Sequence, residues 1–177
     1  MGRLTPFQTL GPFFDFGLTD PGSEIVVDDA TEGRRIRIEG IVFDGAGQRV
    51  PDALVEIWQA DGSGSYPRPD STFRGFGRSA TDDAGRFWFS TVMPGRVPGP
   101  DGLQAPHLVA GVMGRGILTR LLTRIYFDDQ PSNVEDAILR LVPADRRESL
   151  IARSIGEDRY RFDVVLQGEK ETVFFDV

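Results

Sequence analysis

Apolar side chains recur at every second position from residue 34, where Ile36, Ile38 and Gly40 alternate with Arg35, Arg37 and Glu39. A strand points successive side chains to opposite faces, so this pattern sets one face against a core and the other toward water. The segments 53–59 (ALVEIWQ) and 86–91 (RFWFST) also read as strands, and further candidates lie at 107–113, 119–127, 159–166 and 172–176. Asp-Gly turns at 44–47 and 61–64 separate the first of them, and long breaker-rich connections run over 60–78 and 94–106. Only 132–154 has helical character, in the stretches 133–139 and 145–151. Short strands with frequent turns predict an all-β fold, a β-sandwich with long loops and one or two short helices. The expected organisation is a single domain over 1–177, with 1–33 as an extended N-terminal arm and 34–177 as the sandwich. The arm carries Phe7, Phe13, Phe14 and Phe16 among several Pro and Gly. Either it covers its own core, or it lines a site or a subunit contact.

Composition narrows the function classes. The chain has 21 Gly and 12 Pro in 177 residues, which suits a turn-rich β architecture. A net charge of -7 argues against a general nucleic-acid or anionic-membrane surface, since either needs a concentrated basic face. No apolar run approaches the roughly 18 residues of a membrane span. The first residues, MGRLTP, lead into no continuous apolar stretch, so the expected location is cytoplasmic. With no cysteine, disulfides and thiolate metal sites are excluded.

The inventory of catalytic side chains is thin. His107 is the one histidine, and the tyrosines are Tyr66, Tyr126 and Tyr160. Zinc sites take three or four Cys, His or carboxylate ligands, and non-haem iron commonly needs two His. The adjacent pairs Asp82-Asp83 and Asp128-Asp129 read as turn residues. A Ser-His-Asp arrangement around His107 would lack any GxSxG elbow, and neither a P-loop nor a dinucleotide fingerprint is present. By itself His107 reads as a structural histidine, and Arg124 as a strand arginine beside Asp128.

Longer motifs add more. They are 5–14 (TPFQTLGPFF), 40–44 (GIVFD), 50–61 (VPDALVEIWQAD), Gly64-Ser65-Tyr66, 77–82 (GRSATD), Pro94-Gly95, 124–129 (RIYFDD) and 167–176 (QGEKETVFFD). In this order, and over nearly the whole chain, they resemble the intradiol ring-cleavage dioxygenases, especially the two-chain members. Iron-binding members of that family hold Fe(III) with two Tyr and two His, the latter as His-x-His on one strand. Here the corresponding stretch is 105–110 (APHLVA): His107 keeps the first position and Val109 stands in the second. One tyrosine position falls at Val97, and the other in the 67–78 loop, which contains no Tyr.

The resemblance therefore implies a chain that holds no metal itself. Its Fe(III) would be bound by a homologous β subunit in an α/β hetero-oligomer acting on a small catecholic substrate and O2. The implied reaction opens 3,4-dihydroxybenzoate to 3-carboxy-cis,cis-muconate. This chain would contribute Arg124, whose fork pairs with carboxylates and whose plane stacks on rings, and the arm residues Thr9, Gly11, Pro12 and Phe13. The alternatives are a silent scaffold subunit, or an unrelated β-sandwich binding module with an exposed aromatic platform. Trp58 and Trp88 sit in strand patterns and are expected in the core.

Overall fold

A computed structural model describes Gly11, residues 17–69, Ser71, 73–99 and 101–176. Nine strands build one nearly closed sheet that folds into two layers. In the first, β1 (Arg35–Phe43) pairs antiparallel with β4 (Arg86–Val92) and parallel with β10 (Arg159–Arg161) and β11 (Val164–Val165). The second layer runs β3 (Phe76–Ala80), β2 (Ala53–Trp58), β7 (His107–Gly114), β8 (Leu121–Phe127), all antiparallel. A small ladder, β5 (Pro98–Gly99) with β6 (Gly102–Leu103), stands before β7.

The layers are joined by β9 (Ile151–Gly156). Its Ile151 and Ala152 pair with Tyr126 and Phe127 of β8, and Arg153, Ser154 and Gly156 then pair with β10. The opposite margin is stitched by residues 23–26. The Ser23 carbonyl accepts the Arg78 N–H, the Glu24 carbonyl accepts that of Ser90, and Val26 N–H donates to Ser90 O. These bonds occupy backbone groups on β3 and β4 that an open edge would leave unpaired. This part of the expected arm thus covers its own core, where Val26 is buried.

Alternation sorts side chains as the sequence predicts. Ile36, Ile38, Val42, Phe87 and Phe89 from one layer meet Val55, Ile57, Leu108, Ala110, Val112 and Ile125 from the other. Fully burying each large side chain contributes about 1.5–3 kcal/mol, enough in sum to hold the layers together against chain entropy. The strand β2 is buried on both faces because its outward Glu56 lies beneath two guanidinium groups. Arg78 Nε is 2.6 Å and Arg120 Nη2 3.1 Å from the Glu56 carboxylate oxygens. Gly111, opposite Glu56, makes room for this: a Cβ there would come within 2.2 Å of Arg120 Nε.

Several expected elements differ. The irregular connection 60–78 ends in β3, and the 94–106 loop contains the β5–β6 ladder. The 119–127 strand begins at Leu121, and 159–166 splits into β10 and β11 at the point where β1 changes parallel partner. Over 172–176 only Phe175 pairs, with Leu122. The expected helix 133–139 becomes a 3-10 turn, Pro131–Glu135, followed by α1 (Ala137–Leu141). The expected helix 145–151 is a 3-10 turn, Arg147–Leu150, that runs into β9. Trp58 and Trp88 are half-buried on outer faces, where Trp58 stacks on Tyr66 and Arg37 lies 4.1 Å over the Trp88 ring. Among the described residues no helix is long and apolar enough to cross a membrane.

The core leaves no room for a side chain at Gly40. A Cβ there would lie 1.8 Å from the Phe162 carbonyl oxygen and 2.8 Å from the Phe87 ring. Gly40→Ala should cost about 3 kcal/mol through overpacking, read as a lowered urea midpoint with unchanged slope.

Candidate functional site

The register of β2, β7 and β8 assembles the site on the outer face of the second layer. Trp58 stands opposite Val109, Val109 opposite Arg124, and His107 opposite Tyr126. Period two puts 107 and 109 on one face of β7, and 124 and 126 on the matching face of β8. Tyr66 stacks on Trp58 at 5.9 Å with the planes 9° apart, and Trp58 stands beside the half-buried Val109.

A buried carboxylate anchors the other end. Asp136 is 0% exposed and precedes α1 as its N-cap, with Oδ1 accepting the Leu139 N–H at 2.8 Å. Its Oδ2 accepts the Ala105 N–H at 2.8 Å, and the Tyr126 hydroxyl donates to Oδ1 at 3.1 Å. The same hydroxyl accepts from Arg124 Nη1 at 3.3 Å, while that nitrogen also donates to Gln104 Oε1 at 2.6 Å. Arg124 is thus half-buried and held by two neutral acceptors, and among the described residues it pairs with no carboxylate. The expected neighbour Asp128 lies past the end of β8, where it accepts the Ser154 N–H and faces Arg153.

His107 is 4% exposed, its ring 5.6 Å from that of Tyr126, with Nδ1 donating to the Ala105 carbonyl at 2.8 Å. Burial first, and the Arg124 guanidinium second, hold its pKa down at about 4, so the imidazole is neutral at pH 7. Burial pushes the Tyr126 hydroxyl well above its ordinary value, against the pull of Arg124. Tyr66 is raised for the same reason, again opposed by Arg124. The guanidinium therefore acts electrostatically on all three rings, although Tyr126 is the one ring it bonds to.

The family described as Dioxygenase matches residues 11–168. The chain belongs to the intradiol dioxygenase family. It is 43% identical to the protocatechuate 3,4-dioxygenase alpha chain of Burkholderia cepacia, over 99% of this chain and 98% of that one. It is 33% identical to the beta chain from the same organism, over 93% of this chain and 76% of that one. Among solved structures, the dioxygenase domain of a dioxygenase carbohydrate-binding protein fusion from Streptomyces sp. SirexAA-E superposes with a TM-score of 0.66 at 29% identity, covering 93% of this chain and 99% of that one. The all-β fold is that of the family.

The family generally uses Fe(III), and the donor set here does not fit it. Val97, buried at 3%, and Val109 offer no lone pair, and the charge of Arg124 beside His107 opposes a second cation. Of the arm residues, Gly11 is exposed, and a Cβ there would meet nothing within 4 Å. Thr9, Pro12 and Phe13 lie outside the described residues. Sequence reasoning missed Gln104 and Asp136. The latter had a signal, an Asp set just before an apolar helical turn. Gln104 had none, being one polar residue in a loop.

The folded His107 titrates below its unfolded value of ~6.5, so its stabilisation is present above that pH and is lost as pH falls toward about 4. Stability should decline over this window by on the order of 3 kcal/mol from this group. His107→Gln should flatten the slope of unfolding free energy against pH between those limits in urea titrations.

Proposed function

We propose that this chain is the α subunit of a two-chain protocatechuate 3,4-dioxygenase, assembled in the cytoplasm with a homologous β chain that holds Fe(III). Likeness to both named chains supports the assembly. The observation that carries this chain's own role is Arg124: a guanidinium half-removed from water, held in place by Gln104 and Tyr126, and balanced by no carboxylate among the described residues. Such a group is placed to take an anion, and its fork matches the carboxylate of 3,4-dihydroxybenzoate.

The bound ferric ion supplies the activation of the catecholate toward O2, and both oxygen atoms enter 3-carboxy-cis,cis-muconate. The work of this chain is recognition and orientation. Arg124 holds the substrate carboxylate and so fixes the rotation of the ring in its plane. The Trp58–Tyr66 stack and Val109 offer an apolar wall on the same face. The same reading assigns Thr9, Gly11, Pro12 and Phe13 to the substrate pocket, with Gly11 leaving space for the ring to approach main chain.

The test is co-expression with the β chain, iron analysis, and a protocatechuate assay on each chain and on the complex. Iron and activity should need the β chain, and full activity should need both. In the complex, Arg124→Ala removes a charge-assisted hydrogen bond of ~1.5–3 kcal/mol, so kcat/KM should fall about 10- to 100-fold while the iron content and colour persist. Unchanged kinetics would reduce this chain to a scaffold, and ferric iron retained by this chain alone would contradict the assignment.

A further inference from the structure

The side chain of Gln104 is more constrained than a loop residue needs to be. A guanidinium only donates, so the amide oxygen must be the atom 2.6 Å from Arg124 Nη1, which turns the amide nitrogen away. That nitrogen lies over Gly99, where a Cβ would stand 2.5 Å from it and 2.9 Å from Gln104 Cγ. Gly99 is in the β5–β6 ladder, paired with Gly102, and its missing side chain forms the slot that holds the amide. The backbone of Gln104 is tied on both sides. Its N–H donates to Val97 O at 2.9 Å, and Arg96 reaches the Gln104 carbonyl at 3.4 Å and the Leu103 carbonyl at 2.9 Å. Arg96 is itself braced by Glu135 at 3.0 Å.

The charge pattern is equally specific. The nearest acid along the network, Asp136, reaches Arg124 only through the Tyr126 hydroxyl, which accepts from one and donates to the other. Among the described residues, both direct partners of the guanidinium are neutral. A glutamate at 104 has the same length as glutamine and would put a carboxylate where the amide oxygen now sits, forming an internal ion pair that competes with any incoming anion.

We infer that Gln104 is a positioning and specificity residue: seated on Gly99, it aims Arg124 while leaving its charge free, and so makes the site select a carboxylated ring. This rests on the proposed reading of Arg124 as the substrate-carboxylate partner. The inference predicts an order of effects that packing alone does not. In the complex with the iron-bearing β chain, Gln104→Glu should raise KM for 3,4-dihydroxybenzoate, and Kd for 4-hydroxybenzoate in calorimetric titration, by about tenfold or more. Gln104→Leu keeps the charge and loses only the aim, so its effect should be smaller. Turnover of catechol, which lacks the carboxylate, should change less than about twofold in either variant, and the thermal midpoint of Gln104→Glu should equal or exceed wild type. A Gln104→Glu complex with wild-type constants overturns the inference. So does Gln104→Leu being the worse of the two, or an equal loss with catechol. Arg124→Ala, measured alongside, separates the two levels. If it too behaves as wild type, the reading of Arg124 falls; if it is impaired while Gln104→Glu is not, only the role of Gln104 falls.

Discussion

The candidate site depends on one buried carboxylate. Asp136 ties the approach to β7 through Ala105, the first turn of α1 through Leu139, and β8 through Tyr126. A charge fully withdrawn from water is tolerated only when its lone pairs are met, and here three donors meet them. Its negative charge also makes Tyr126 a donor toward the interior, so that its oxygen lone pairs are left for Arg124. The Tyr126 bond takes its direction from that carboxylate, and the bond to Gln104 takes its own from the guanidinium, which only donates. A buried network whose members are all satisfied is stiff, and stiffness is what a residue that aims another requires.

The retained histidine is explained by the same surroundings. Conserving imidazole chemistry would call for a group near neutrality or a metal to share, whereas His107 is held neutral by burial and by a neighbouring cation. A positive charge remains in this part of the fold, but it is covalently attached, as a guanidinium on β8. Such a charge cannot change oxidation state or coordination number. It can bind and orient an anion, which is the part the proposed function gives to this chain.

How much of this could be read in advance depends on which forces leave a trace along the chain. The strands β1 and β4 were plain because one face is apolar and the other polar. The strand β3 was hidden because its core face is Gly77 and Ser79, both small, and Gly77 leaves room for Val26 and Phe89 to approach. The start of β9 read as helix because it falls within the stretch 145–151, and its exposed half, Arg153 to Gly156, carries no apolar alternation. At the site, His107, Val109 and Arg124 stood out through family resemblance and proved to share one face. Gln104 and Asp136 act through contacts between segments 20 and 10 residues away along the chain, which no local pattern records. Trp58 and Trp88 were misplaced because strand aromatics suit either face of a sheet when a partner ring or guanidinium covers them.

The strand that changes layers has a dynamic consequence. Because Ile151 and Ala152 belong to one layer and Arg153 to Gly156 to the other, neither sheet can open at this margin without taking hydrogen bonds from its neighbour. Amide exchange along β8, β9 and β10 should therefore report a single opening event, the global one, rather than a sequence of local frays. The surface that carries Arg124 is mounted on these interlocked strands, and any complex formed there would meet a template already set.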